Sequence, residues 1–313
     1  MRLNKLHIIF IFCLAFAIKG RAQQELLISQ YMFNQLFLNP AYAGTHEYWE
    51  SSILYRDQWL GWEGSPTSQL IAVDGPLLPT LLGIGATIVH DKIGINESLN
   101  ANIDLSYQLR LDREGRHRLS FGLKAGFQSQ SSYIKDLVYI DENDPLYTSS
   151  DVINQSTIIF GSGLYYYSKR AYAGIAVPML YAKDLKDLPT VENTRNSYLK
   201  NQYYLYGGIV FPLSQKVDFK PSFLLKYTQA APLQADINLH FLFNKILWLG
   251  MSYRSRDIMV FMLEVNATRY LRIGYAYDYS FNNISIYTSG SHEIMLSLDF
   301  GKTIVKSSSP RYF

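Results

Sequence analysis

From Leu99 to Asp112 the chain alternates without a break, and that alternation limits what it can fold into. Leu99, Ala101, Ile103, Leu105, Tyr107, Leu109 and Leu111 share one parity, and Asn100, Asn102, Asp104, Ser106, Gln108, Arg110 and Asp112 the other. A two-residue period is the signature of a strand, because successive side chains point to opposite faces of a sheet. After the polar turn Asp112-Arg113-Glu114-Gly115-Arg116 the pattern resumes, with Leu119, Phe121, Leu123, Ala125 and Phe127 set against Ser120, Gly122, Lys124, Gly126 and Gln128. The pair reads as an antiparallel hairpin whose strands exceed the five or six residues typical of soluble sheets and reach the roughly 9–11 that cross a bilayer at a tilt.

Leu271–Phe281 and Leu233–Phe243 repeat the pattern, and strand-interior charges fall on one face only: Asp104, Arg110, Lys124, Lys220, Asp236, Glu264, Arg272, Asp278 and Asp299. A basic side chain at the lipid midplane costs about 2–4 kcal/mol, so this sorting is what a membrane barrel requires. In all, fourteen strands are expected, among them 97–112, 116–130, 154–168, 171–179 and 291–302, with Pro178 marking an edge. The even-numbered connections are short, as at Arg113–Gly115, Lys169-Arg170 and Leu213-Ser214, whereas the odd ones include the long Ser131–Ile153, Leu180–Lys200 and Asn282–Gly290. Short periplasmic turns alternating with longer extracellular loops describe an up-and-down barrel, and this parity argues against a Greek-key sandwich.

The N-terminus places that barrel in a compartment. Arg2 and Lys5 precede an apolar run from Leu6 to Ile18, and Gly20-Arg21-Ala22 supplies small residues before Gln23, the form of a secretory leader over residues 1–22. Of 29 basic residues, Arg2, Lys5, Lys19 and Arg21 lie in the leader, leaving 25 against 26 acidic ones. A near-neutral mature chain offers no electrostatic footprint for nucleic acid. The single cysteine, Cys13, also belongs to the leader, so disulfide and thiol chemistry are excluded from the mature protein. Aromatic residues make up 15% of the chain, with 25 Tyr, and suit the interfacial girdles of an outer-membrane barrel. The expected division is a leader at 1–22, a non-barrel segment at 23–46, a barrel at 47–302 and a basic tail at 303–313. Both mature termini are expected on the periplasmic side.

Enzyme chemistry finds no support in the motifs. His240 and Asp236 share a face but sit about 13 Å apart along a strand at ~3.3 Å per residue. No serine is recognisable as their nucleophile, the six histidines lack metal-ligand spacing, and phosphate-binding glycine loops are absent. No cofactor is expected.

Two stretches escape strand periodicity. One is Ser29–Gly44, which contains Gln30-Tyr31-Met32-Phe33-Asn34-Gln35-Leu36-Phe37-Leu38-Asn39-Pro40-Ala41-Tyr42-Ala43-Gly44; the other is Tyr55-Arg56-Asp57-Gln58-Trp59 with Gly64-Ser65-Pro66 and Asp74-Gly75-Pro76. On these residues the chain resembles the PorP/SprF membrane proteins of the type IX secretion system of Bacteroidetes, with Gln35 departing from a frequent proline. Gly83-Ile84-Gly85, Asp91-Lys92-Ile93-Gly94, Ser120-Phe121-Gly122-Leu123 and His292–Gly301 fit the same resemblance.

The resemblance implies a non-enzymatic outer-membrane barrel that helps a cognate surface protein, often a large adhesin, to be exported and held at the cell surface. Some members are linked to gliding motility, and others meet the periplasmic ring of the secretion apparatus. The expected partners are therefore outer-membrane lipid, the secreted adhesin and ring components. The candidate plug or partner-binding residues are Tyr31, Phe33, Asn34, Asn39, Pro40, Tyr42, Arg56, Gln58 and Trp59. The N-terminal aromatics either brace the barrel mouth or meet the partner directly, and Arg56 is expected to join a salt-bridge network in the lumen. The same architecture would also serve a general porin or a hydrophobic-solute transport barrel.

Overall fold

In a computed structural model of the protein, the residues described are 28–46, 48–78, 81–133, 152–184, 201–228, 231–255 and 257–301. The leader at 1–22, the tail at 303–313 and most of the two longest loops lie outside the described residues.

Among the described residues fourteen antiparallel strands form one closed sheet. They are β1 (Trp49–Asp57), β2 (Thr67–Leu78), β3 (Leu82–Ile93), β4 (Asn96–Arg110), β5 (His117–Tyr133), β6 (Val152–Ser168), β7 (Ala171–Asp184), β8 (Gln202–Ile209 continued by Phe211–Pro212), β9 (Val217–Thr228), β10 (Gln234–Phe243), β11 (Leu247–Arg254), β12 (Ile258–Asn266), β13 (Leu271–Ser280) and β14 (Ser291–Phe300). Each strand pairs with its neighbours in sequence, and β1 pairs with β14 from Trp49↔Phe300 to Asp57↔His292, which closes the barrel. Closure leaves no sheet edge with unsatisfied backbone groups, the condition for a sheet in lipid. Among the described residues no helix is long and apolar enough to cross a membrane.

The alternation of the β4–β5 hairpin now has a direction. Its large apolar side chains point out: Ile103, Leu105, Tyr107, Phe121 and Leu123 are exposed, Leu123 at 69%, while Asp104 at 0% and Lys124 at 5% are buried inside. Asp236, Glu264, Asp278, Asp299 and Lys220 are likewise interior. Arg110 departs from its expected place in the lumen. It is the last residue of β4, exposed, with its side chain close to Gly115 of the turn.

Two prolines mark where the ladder yields. Pro178 is not at an edge but inside β7, where the pairing with β6 shifts register between Phe160 and Ser162. A Cβ on Gly161 would lie 2.3 Å from the Pro178 carbonyl oxygen, so the bulge needs both residues. β8 is interrupted at Val210, yet its two pieces keep one register against β9. Lys220 of β9 falls opposite that break, and the next residue, Pro221, has no N–H to give the ladder.

The wall is uneven. β4, β5 and β6 have 15, 17 and 17 residues, whereas β1, β11 and β12 have 9, 8 and 9. The extra length lies at the end bearing the odd-numbered connections, here called the loop end, where Tyr133 pairs with Val152. The opposite end, with the short even-numbered connections, is the turn end.

Candidate functional site

The buried hydrophobic cluster is not a layer between sheets: it is the N-terminal segment lying inside the barrel together with the inward side chains of the wall around it. Ile28, Tyr31, Met32, Phe33, Leu36, Leu38, Ala41, Tyr42 and Ala43 all belong to the buried core, with Leu36, Ala41 and Ala43 at 0% exposure. The segment runs the length of the lumen, from the loop end at Ser29 to the turn end at Tyr48.

At the loop end it is held by ionised side chains. The two oxygens of Glu293 accept the backbone N–H groups of Ser29 and Gln30, each at 2.8 Å. The Ser29 hydroxyl donates to Asp278 Oδ1 at 2.8 Å. Arg56 binds both carboxylates, reaching Asp278 at 2.7 Å and Glu293 at 3.1 Å. Arg254 pairs with Asp236 at 3.0 Å and Asp278 at 3.3 Å, and donates to the Ile28 carbonyl at 3.5 Å. Two arginines facing three carboxylates give a clamp whose charges are nearly matched, and the main-chain donors of the segment supply the remaining partners. Buried charges tolerate a low-dielectric site only when paired and hydrogen-bonded in this way.

In the middle, aromatic and amide contacts take over. Asn238 donates to the Tyr31 hydroxyl at 2.7 Å. Phe33 packs edge-on against His240 and Trp248, with ring centroids 5.6 and 6.0 Å away. The Lys220 ammonium lies 5.8 Å from the Phe33 ring, 5.4 Å from Tyr172 and 5.7 Å from Trp248, so one cation draws segment and wall together. Asn34 hydrogen-bonds Ser52 of β1.

Toward the turn end, Asn39 and Pro40 build a short 3₁₀ turn, Pro40–Tyr42. The Asn39 Oδ1 accepts from Ala41 N at 2.9 Å while its Nδ2 donates to the Leu164 carbonyl of β6 at 2.9 Å. An asparagine cap followed by proline at the first position fixes the turn with little lost entropy. Tyr42 hydrogen-bonds His46 at 2.7 Å and meets Tyr165 edge-on at 5.6 Å. Gly44, at φ +63°, donates to Asp74 at 2.9 Å and accepts from Gln108 at 2.6 Å, and the Ala43 carbonyl accepts from Ser106 at 2.6 Å. Below them Arg272 pairs with Glu50 and, at 3.7 Å, with Asp299.

The wall is cut to this segment. A Cβ on Gly122 would lie 2.0 Å from Ala41 N, on Gly83 2.1 Å from the Ala43 carbonyl oxygen, on Gly163 2.1 Å from Asn39 Oδ1 and on Gly274 2.2 Å from Gln30 Oε1. Four different strands thus forgo a side chain where the segment passes. Glycine in a strand interior is otherwise unfavourable and marks such close approach.

The nine candidate residues separate into two groups. Tyr31, Phe33, Asn34, Asn39, Pro40 and Tyr42 lie in the lumen, and Arg56 joins them through Ser29. Gln58 and Trp59 do not: β1 ends at Asp57 and the chain turns outward, where Gln58 N donates to the Pro66 carbonyl and Trp59 N to Ser291 Oγ. Asp278, Glu293, Arg254, Asp236 and Lys220, brought together from β13, β14, β11, β10 and β9, complete the site. Among the described residues no three His, Cys, Asp or Glu side chains gather as metal ligands.

A family model described as type IX secretion system membrane protein PorP/SprF matches residues 20–298. The chain belongs to the PorP/SprF family. The match includes the whole lumen segment and nearly all of the barrel of this PorP/SprF protein. A search of curated proteins finds no match. Among solved structures, the outer membrane protein Omp33 of Acinetobacter baumannii is 8% identical with a TM-score of 0.44, covering 82% of this chain and 100% of that one. A Pseudomonas aeruginosa FadL homologue is 10% identical with a TM-score of 0.44, covering 84% and 92%. CdiB from Acinetobacter baumannii is 9% identical with a TM-score of 0.44, covering 80% of this chain, which spans 60% of CdiB. Family membership and the closed, outwardly apolar sheet make the PorP/SprF protein an outer-membrane barrel of the type IX secretion system.

Proposed function

We propose that this barrel acts as a docking component rather than a conduit, supporting export and surface retention of a cognate secreted protein such as a large adhesin, with gliding motility as one process it serves. The observation that carries the reading is the occupied lumen: a buried segment of the chain's own N-terminal region touches strands on all sides from loop end to turn end. A wide polar passage for solutes would be at odds with that filling, which disfavours the porin and hydrophobic-solute readings. In this account Tyr31, Phe33, Asn34, Asn39, Pro40, Tyr42 and Arg56 form and hold the plug, and Gln58 and Trp59 belong to the loop surface offered to the partner. The turn end faces the periplasm, where ring components of the secretion apparatus would meet it.

Deleting residues 134–151 or 185–200 tests this. The expected result is loss of the secreted protein from the cell surface and from co-purification, with the barrel still folded and inserted. Retention of the secreted protein by both deletions would count against it.

A further inference from the structure

The lumen segment starts near one end of the barrel, and the last strand finishes at the other. Ile28 and Ser29 are bound by Arg254, the last residue of β11, by Asp278 near the end of β13 and by Glu293 near the start of β14. All three positions adjoin odd-numbered connections, at the loop end. Twenty residues later Tyr48 leads into Trp49, which pairs with Phe300 at the turn end. From Ile28 the chain therefore descends from the loop end to the turn end, and only then starts β1 upward.

We propose that the mature N-terminus lies on the loop side, at the cell exterior, opposite the end of β14, so that the mouth beside Arg56 and Glu293 presents the chain's own N-terminal end as part of the outer interaction surface. This departs from placing both termini in the periplasm, and it rests on the reading above that the turns are periplasmic and on removal of the leader after Ala22. Length supports it. With the leader removed after Ala22, five residues precede Ile28 and reach about 17 Å when fully extended. From Arg56 down to Trp49 the strand covers about 23 Å, roughly 18 Å of barrel height at a tilt near 40°. Those residues have no slack for a return, and the lumen below is already filled by Tyr31, Phe33 and Leu36.

The surface beside this exit suits a polypeptide partner. The β1–β2 and β13–β14 connections are joined by Leu60 N to the Gly290 carbonyl at 2.8 Å and by Ser289 N to the Leu60 carbonyl at 2.9 Å. They display Leu60, Trp62, Ile286 and Tyr287, the last two 77% and 68% exposed, with the Trp62 and Tyr287 rings 5.9 Å apart. An exported protein reaching the mouth would meet an aromatic rim and a free chain end side by side.

Cys13 is the single cysteine of the 313-residue sequence, so its replacement makes the test direct. In a C13A background, Q24C, E63C in the β1–β2 connection and E114C in the β4–β5 turn are each treated with a membrane-impermeant maleimide on intact and on permeabilised cells. Q24C and E63C are expected to be modified to the same extent on intact cells, and E114C only after permeabilisation. Should E114C react on intact cells and E63C not, the assignment of the turns to the periplasm falls, while Q24C reacting together with E63C still supports the threading. Q24C reacting together with E114C overturns the proposal, as does Q24C reacting only after the barrel is denatured.

Discussion

Replacing Arg56 by methionine asks how strongly the clamp holds the lumen segment. Asp278 would keep Arg254 at 3.3 Å and the Ser29 hydroxyl at 2.8 Å, but Glu293 would lose its arginine and retain only donors from residues 29 and 30. Removing one partner of a buried ion pair costs about 3–5 kcal/mol, because the other is left uncompensated. The remaining hydrogen bonds at Glu293 place this case near the lower end. At about 3 kcal/mol the docking equilibrium of residues 28–30 shifts roughly 150-fold. Amide hydrogen exchange reads this locally, since the Ser29 and Gln30 N–H groups themselves donate to Glu293. Their protection should fall by about two orders of magnitude in R56M while amides in the middle of β5 keep theirs. In R56M/E293Q the loss should be smaller than the sum of the two single losses, because the orphaned charge is gone. Protection in R56M within twofold of the parent, or strictly additive losses in the double variant, would refute the clamp.

The glycine cradle and the lipid face give two further tests. G122V places a side chain where a Cβ alone would stand 2.0 Å from Ala41 N, so the segment must leave its seat; overpacking of about 1–3 kcal/mol should appear as a lowered Tm with protection lost around Pro40–Tyr42 and the barrel still closed. An unchanged Tm and intact protection there would contradict the cradle. L123R puts a charge at an exposed position in the middle of β5, at a cost of about 2–4 kcal/mol for folding into vesicles; S129R, near the loop end of the same strand and of the same parity, should cost ~0–1 kcal/mol. Equal penalties at the two positions would argue that the outer face does not meet lipid as described.

The barrel was legible because lipid imposes a rule on every strand. Apolar residues must face out at every second position and backbone groups must pair all round, so alternation and connection length together disclosed fourteen strands and their closure. Local departures were not legible. Pro178 reads as an edge marker from sequence alone, since the glycine that accommodates it, Gly161, lies across a strand pair. The candidate site was half legible for a similar reason. Ser29–Gly44 stood out because it breaks the strand period, and its Asn39-Pro40 pair signals a turn. The clamp was hidden, because Arg56 meets Asp278 and Glu293 across 222 and 237 residues of chain. Gln58 and Trp59 share a motif with Arg56 in the sequence, but β1 ends at Asp57, so they stand half-buried in the β1–β2 connection rather than in the lumen. One signal in the sequence did point at the lumen: Gly83, Gly122, Gly163 and Gly274 fall on inward positions of four strands, where polar side chains would otherwise stand.

The central claim is that the N-terminal segment closes this barrel, and electrical conductance tests it most directly. Purified protein inserted in a planar bilayer should be electrically silent, and a variant lacking residues 28–45 should insert and conduct, since a fourteen-stranded wall without its filling encloses water. Steady, open conductance from the intact protein, unchanged when the segment is removed, would contradict the account.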